Sequence, residues 1–160
     1  MTIEETGADA AHRRAVAALK DGLRELRVQL SVLNHQVGLR AGLRDVDLDC
    51  LDLISANGPL SPGALARLAG VHPATLTGIL DRLEKGLWIA RDRDPSDRRS
   101  VLIRIEPERN REMFRLYTGM NSEMDRLCAD YDEDQLEVIT GFLRRSAEAG
   151  RVATGLFAEE

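Results

Sequence analysis

The amino-acid sequence predicts a mainly α-helical protein with one small β-hairpin near its middle. Apolar residues recur at helical spacing along most of the chain, whereas residues 88–105 alternate with period two around a polar turn. Longer stretches with helical seams lie on both sides of this central part. We therefore expect a disordered tail at 1–8, a long helix at 9–41, a central domain at 45–105, C-terminal helices at 107–148 and a flexible tail at 149–160.

Composition limits the classes of function. Of 160 residues, 43% are hydrophobic and 31% charged, which are values typical of globular proteins. Aromatic residues make up only 4%, which argues against binding single strands or RNA by base stacking. The net charge of −5 gives no global attraction to DNA, so any DNA binding requires a local basic surface. Because no long apolar run or signal peptide is present, we expect a cytoplasmic protein without membrane contact.

The first long helix, predicted from Asp9 to about Arg40, has a heptad seam. Such a helix is longer than the central domain can cover, which favours a seam shared between two subunits over packing within a monomer. Gly38 and Gly42 are expected to loosen its end. The seam consists of Val16, Leu19, Leu23, Leu26, Leu30, Leu33 and Val37.

A support helix is predicted from Asp45, as N-cap, to about Ala56, and Asn57-Gly58-Pro59 ends it. Carboxylates crowd its first turns. They could ligate a metal, but capping and favourable interaction with the helix dipole are the simpler interpretation. These carboxylates belong to Asp45, Asp47, Asp49 and Asp52.

Two short helices follow. Ser61 can cap the first, Gly70 can stop it in the left-handed conformation, and Pro73 opens the second. The second helix has an inner apolar face and an outer face that begins small and hydroxylated, as in helices that read base edges in a major groove. An ordinary solvent-exposed surface is the alternative. The inner face is Leu76, Ile79, Leu80 and Leu83, and the outer face is Ala74, Thr75, Thr77, Gly78, Asp81, Arg82 and Lys85.

The hairpin is predicted to pair residues 88–93 with residues 101–105 around the tip 94–99. Val101, Ile103 and Ile105 are expected on one face. Arginines at a hairpin tip can enter a minor groove or bind phosphates, although a merely solvated turn is also possible. The segment from Arg82 to Arg104 contains seven basic and four acidic residues and therefore has a local positive excess.

These segments resemble the winged helix-turn-helix of the MarR family of bacterial transcriptional regulators. The resemblance lies in residues 60–68, residues 73–83 and the run Asp94-Pro95-Ser96-Asp97-Arg98-Arg99. It implies that the second helix enters the major groove and that a wing arginine enters the minor groove, with Arg99 the first choice, Arg98 the second and Asp97 the brace. The predicted DNA-binding residues are Ser61, Pro73, Ala74, Thr75, Thr77, Gly78, Arg82, Lys85, Arg93, Asp97, Arg98 and Arg99.

Three positions depart from the family pattern. His72 stands where Ser or Thr usually caps the recognition helix, and Gly78 stands where a larger polar residue is common. The glycine that usually follows the helix falls on Leu87, while Gly86 comes one residue early. We therefore expect a weaker cap, little base reading at Gly78 and a displaced helix exit.

The C-terminal part predicts one helix from Pro107 to about Asp130 and a second from Glu133 to Glu148, ended by Gly150. Asp132 and Gln135 form a variant of the capping box. The tail beyond Gly150 can fray, or dock through Val152, Leu156 and Phe157. The helical seams are Met113, Tyr117, Met120, Met124, Leu127 and Tyr131, then Leu136, Ile139, Phe142 and Leu143.

A two-fold dimer would bury these terminal seams and set two recognition helices about 34 Å apart on a near-palindromic operator. The family resemblance also implies dimeric terminal helices, nucleoid association and a pocket for a small aromatic or amphipathic effector. Core packing of the same side chains is the alternative. The candidate pocket residues are His35, Leu39, Leu43, Trp88, Met113 and Tyr117.

The sequence thus predicts a homodimeric regulator that binds double-stranded DNA, a repressor relieved by a small-molecule ligand. The rival is a winged-helix adaptor that binds proteins through the acidic surface of residues 45–52. No nucleophile–base set or phosphate loop indicates an enzyme, and we expect no cofactor. Cys50 and Cys128 are widely separated and have no metal-ligand spacing, so we expect small buried hydrophobes without a redox role.

Overall fold

The computed structural model describes residues 3–94 and 100–157, and it confirms the mainly α-helical fold with one antiparallel hairpin. The contacts divide the chain after Leu48 into two units, which are described separately. The elements in chain order are α1 (Ile3–Ala41), α2 (Asp45–Asn57), α3 (Pro62–Ala69), α4 (Pro73–Lys85), β1 (Ile89–Arg93), β2 (Val101–Ile105), α5 (Pro107–Leu116), α6 (Thr118–Cys128) and α7 (Glu133–Phe157).

The first helix starts earlier than predicted. Residues 3–8, expected to be disordered, belong to α1, because extending an existing helix costs little per residue and no proline interrupts this stretch. Its heptad seam lies open within the single chain: Leu19 is 48% exposed and Leu26 44%, whereas Val37 at the far end is buried. Other parts of the single chain therefore do not fully cover the apolar seam.

Helix α1 ends in a tight turn rather than in a loosened segment. Gly42 has a φ of 69°, and the N–H of Leu43 donates to the carbonyl of Gly38 over 2.9 Å. A Cβ on Gly38 would lie 2.9 Å from the carbonyl oxygen of Leu43. The two glycines permit a left-handed turn and a close backbone approach, so the expectation that they loosen the helix is wrong.

Asp45 is the first residue of α2 and does not cap it. The side chain of Asp47 is buried and accepts the backbone N–H of Arg44 over 3.2 Å. A carboxylate three residues into a helix can reach back in this way and satisfy a free N–H. Asp45 instead lies 3.2 Å from Nδ1 of His35.

The core of the second unit lies between α2, α3, α4 and the hairpin. The predicted inner face of α4 is confirmed, since all four of its apolar residues are buried. The N–H groups of Leu60 and Ile103 each donate to the other residue's carbonyl, over 3.0 and 2.8 Å, which joins the chain before α3 to the hairpin. The buried residues of this core are Cys50, Leu51, Ile54, Leu65, Ala66, Leu76, Ile79, Leu80, Leu83, Trp88, Ile89 and Ile103.

The predicted single helix after Pro107 is interrupted at Tyr117, which ends α5 and precedes α6. The hydroxyl of Thr118 donates to the carbonyl of Phe114 over 3.3 Å. A Thr side chain bound in this way can bend a helix, but the same bond from Thr77 to the carbonyl of Pro73 leaves α4 continuous. The apolar seam of residues 113–131 did not indicate this break.

Helix α7 runs past the predicted end at Glu148 and includes Gly150. The predicted flexible tail is therefore wrong as far as Phe157. A single glycine inside a helix costs only about 1 kcal/mol relative to alanine, and no proline follows it. The capping box that opens this helix is confirmed, since Asp132 and Gln135 exchange bonds of 2.8 and 3.0 Å.

Candidate nucleic-acid interface

Helix α3 begins and ends as predicted. The hydroxyl of Ser61 accepts the N–H of Ala64 over 3.3 Å, and Pro62 occupies the first helical position. Gly70 has a φ of 64°, and the next N–H, that of Val71, donates back to the carbonyl of Ala66. This pairing is the Schellman termination, which uses a left-handed residue to satisfy the last carbonyls of a helix. The turn between α3 and α4 is thereby defined.

Helix α4 has a working cap despite the unfavourable residue type. The ring Nδ1 of His72 accepts the N–H of Ala74 over 3.2 Å, and Pro73 follows at the first helical position. An acceptor on the ring can replace the usual hydroxyl because it reaches the same free N–H group. His72 therefore caps α4 better than its residue type predicts.

The outer face at the start of α4 is exposed and small. Thr77 is exposed, and its hydroxyl donates to the carbonyl of Pro73 over 3.1 Å. A Cβ on Gly78 would meet only the end of the Arg82 side chain, at 3.9 Å. This face can approach base edges closely and offers methyl and hydroxyl groups to them. Its exposed residues are Pro73, Ala74, Thr75, Thr77 and Gly78.

The exit from α4 is not displaced. The N–H of Leu87 donates to the carbonyl of Glu84, and that of Trp88 donates to the carbonyl of Leu83, both over 2.9 Å. This is the same Schellman pattern as at Gly70, but the left-handed residue is Leu87, with a φ of 59°. Residue 86 favours glycine for a different reason, because a Cβ there would lie only 2.8 Å from Cδ1 of Trp88.

The predicted hairpin forms, and its strands pair with Ile89 opposite Ile105 and Arg93 opposite Val101. Residues directly opposite each other in an antiparallel pair share a face. Arg91 is paired with Ile103, which is fully buried, so Arg91 lies on the face directed to α4. There its guanidinium contacts Asp81 at 2.6 Å and Glu84 at 3.4 Å.

Sequence reasoning missed this role of Arg91. Its period-two relation to Ile89 was the available signal, because it places the arginine beside two carboxylates three residues apart on α4. Arg91 is one of the seven basic residues counted between Arg82 and Arg104, and these ion pairs neutralise its charge within the protein. Lys85 and Arg93 make no ion pair with the described residues. Arg82 donates to the carbonyl of Gly78 over 3.0 Å.

Residues 95–99 of the wing tip lie outside the described residues. Asp97, Arg98 and Arg99, the residues assigned to the minor groove, are among them. The strands on either side bring Asp94 and Ser100 together, since the N–H of Asp94 donates to the carbonyl of Ser100 over 3.0 Å. This bond continues the pairing of the two strands by one step beyond Arg93 and Val101.

The base of the wing is tied to α5 through Arg109. Its guanidinium carbon lies 4.9 Å from the centroid of the Trp88 ring, and Nη2 donates to the carbonyl of Gly86 over 3.1 Å. Its other nitrogen, Nη1, is 2.5 Å from Glu112. A cation at the C-terminus of α4 also interacts favourably with the helix dipole. Trp88 itself is buried, which confirms the interpretation of this residue as core.

The candidate effector residues divide between the two units. In the first, His35 and Leu39 are exposed and Leu43 is half-buried. The ring of His35, which a pocket-lining role would require in the interior, instead pairs with Asp45 at the surface. In the second, Trp88 and Met113 line a cavity of about 40 Å³. Such a volume holds a water molecule rather than an aromatic ligand.

Carboxylates near this cavity affect one another. Desolvation and the neighbouring Asp49 both raise the pKa of Asp52. Desolvation, with Asp52 and Asp49, also raises the pKa of Tyr117, so its phenol stays neutral at physiological pH.

Within the part of the chain that the structure describes, no cluster of His, Cys, Asp and Glu could hold a metal ion. Cys50 is buried and Cys128 is half-buried, both as free thiols.

Comparison with known proteins decides the family. A sequence profile of the MarR family matches residues 43–101. The uncharacterized HTH-type transcriptional regulator YcgE of Bacillus subtilis is 34% identical over 119 residues, which cover 74% of this chain and 77% of YcgE. The chain belongs to the MarR family. It is a transcriptional regulator that binds DNA through its helix-turn-helix, and the family and these relatives are regulators rather than enzymes.

Two further comparisons agree with this assignment. The HTH-type transcriptional repressor YetL of Bacillus subtilis is 26% identical over 84 residues, or 52% of this chain and 50% of YetL. The solved structure of a MarR family protein from Bacillus stearothermophilus superposes with a TM-score of 0.65 at 20% identity, covering 86% of this chain and 96% of that one. The second comparison concerns the fold alone, and it supports the winged-helix architecture.

Proposed function

We propose that this MarR-family regulator is a homodimer that occupies a near-palindromic operator and represses transcription until a small molecule releases it. The observation that carries the DNA-binding part is the exposed, small face of α4 beside cations that the described residues leave without ion pairs. Small side chains let the helix approach base edges, and the cations supply the electrostatic affinity that a chain of net charge −5 otherwise lacks.

We assign the predicted residues the following roles in this proposal. Ser61, Pro73 and the start of α4 face backbone phosphates, while Thr75 and Thr77 read bases. Ala74 and Gly78 allow close approach, and Arg82, Lys85 and Arg93 bind phosphates. Arg99, or Arg98 in its place, enters the minor groove with Asp97 as its brace, as the family resemblance implies.

Uncovered apolar side chains on the terminal helices support the dimer. On α7, Val138 is 73% exposed, and Phe142 and Leu143 are also classed as exposed. On α1, the exposed part of the heptad seam adds Leu19, Leu26 and Leu30. Large apolar surfaces of this kind on soluble chains usually mark interfaces. A two-fold axis through these helices would place two recognition helices on successive turns of the duplex.

Repression and its release have less direct support. The relative YetL is named a repressor, and occupying a promoter blocks polymerase sterically. Release requires an effector with higher affinity for a conformation that does not fit the operator. The cavity beside Trp88 and Met113 is about 40 Å³, so an aromatic effector would have to enlarge it or bind elsewhere.

The first test is fluorescence anisotropy with the duplex upstream of the protein's own gene, and a random duplex as control. We expect a preference for the upstream duplex that weakens with salt by about 0.9 log units per log unit of salt for each phosphate contact. Arg99→Ala should reduce that preference. If selection from random DNA also yields no preferred duplex, sequence-specific binding is refuted.

The dimer and the effector need separate measurements. Sedimentation equilibrium should give twice the 17.7 kDa chain mass, and Val138→Glu with Phe142→Glu should lower it toward one chain. Trp88 is the only tryptophan, so its fluorescence reports directly on the wing base. A screen in which no compound changes either operator affinity or Trp88 emission would refute ligand release.

A further inference from the structure

We propose that Arg91 determines DNA affinity without contacting DNA, by neutralising two carboxylates of the recognition helix and holding the wing strand against it. The inference rests on the proposed function, in which α4 lies in the major groove. The guanidinium is 2.6 Å from Asp81 and 3.4 Å from Glu84. It thus joins β1 to the outer side of α4 at two points.

The carboxylates require this partner because of where they lie. Asp81 follows Gly78 by three residues and Thr77 by four, so it continues the face assigned to DNA. The Asp81 side chain is 60% exposed and that of Glu84 is 44% exposed. Unpaired carboxylates so near a groove would repel phosphates, since opposite or like charges within a few ångströms dominate local electrostatics.

Arg91 is better shielded than its partners, with 32% of its side chain exposed. Its position opposite the buried Ile103 places it on the hairpin face that is directed to α4, where its side chain is partly exposed. The flat guanidinium can serve both carboxylates at once, which a lysine could not do with the same geometry. The wing and the recognition helix are thereby connected by charge as well as by the apolar core.

The same hairpin supplies a matched control. Arg104 also pairs with two carboxylates, Asp92 at 2.6 Å and Glu106 at 3.1 Å. It is opposite Ala90, on the other face of the hairpin from Arg91. Replacing either arginine by glutamine removes one positive charge from the wing, but only Arg91→Gln exposes carboxylates of α4.

The experiment measures affinity of the full-length protein for a duplex selected from random-sequence DNA with the wild-type chain. We expect Arg91→Gln to weaken binding about tenfold near 0.1 M salt, and Arg104→Gln to change it less than about threefold. Adding Asp81→Asn and Glu84→Gln to Arg91→Gln should restore affinity to within about threefold of wild type. Circular dichroism melts confirm that each variant is folded at the assay temperature.

Each contrary outcome has one meaning. Unchanged affinity in Arg91→Gln, or equal losses in Arg91→Gln and Arg104→Gln, would overturn the inference. A triple variant that stays as weak as Arg91→Gln would also overturn it, because Arg91 would then bind DNA itself. Failure of the wild-type protein to bind any duplex would instead overturn the proposed function, so the two failures are distinguishable.

Discussion

Leu87 occupies a backbone conformation that glycine would adopt without strain. Its φ is 59°, its side chain is 67% exposed, and its N–H closes the Schellman turn at the end of α4. We predict that Leu87→Gly is more stable than Leu87→Ala. The two variants lose nearly the same side-chain contacts, so the difference between them isolates the backbone.

The expected magnitude follows from two opposing terms. A left-handed conformation costs a residue with a Cβ about 1–2 kcal/mol. Glycine loses about 0.4–1 kcal/mol more conformational entropy on folding than alanine does. The difference in the free energy of unfolding should therefore be about 0.5–1 kcal/mol in favour of Leu87→Gly. Inside a helix the sign is the opposite, since alanine is better there by a similar amount.

Urea unfolding, followed by circular dichroism, measures this difference at one fixed protein concentration, because the proposed dimer makes stability depend on concentration. Two glycines serve as controls. Gly70→Ala, at a φ of 64°, should destabilise, and Gly78→Ala, inside α4, should stabilise. A Leu87→Ala variant at least as stable as Leu87→Gly, with both controls behaving as expected, would refute backbone strain at this position.

Three further predictions test other parts of the structure. Ser61→Ala should lower the free energy of unfolding by about 1 kcal/mol, because the N–H of Ala64 loses its acceptor; Ser61→Thr is the control that should lose less. Arg93→Gln should reduce the salt slope of DNA binding by about 0.9 if it contacts one phosphate, and an unchanged slope would contradict that role. The raised pKa of Asp52 means that the folded state binds its proton more tightly than the unfolded chain, so stability falls as pH rises above its ordinary value of 3.8. Asp52→Asn should therefore stabilise the protein at pH 7 and lose that advantage in acid, as pH-dependent urea midpoints would show.

Much of the central domain could be predicted because its signals are local. Ser61, Pro62 and Gly70 define the bounds of α3 through caps and stops whose geometry depends on a few neighbouring residues. The period of apolar residues identified the buried face of α4 for the same reason. The limits of α1 and α7 were less predictable, since nothing but weak propensities separates a frayed terminus from a continued helix.

Among the described residues, no helix is both long and apolar enough to span a membrane.

The sequence by itself determined the fold class, the caps of α3 and the two strands of the hairpin, since these depend on residue type and spacing. Only the tertiary structure decided which arginine of the wing is paired. Arg91 and Arg93 have the same chemistry and lie on the same strand face, but the two carboxylates of α4 are within reach of Arg91. It also decided that Leu87 adopts the left-handed conformation. There the buried Trp88 and the last carbonyls of α4 hold the backbone against its intrinsic preference.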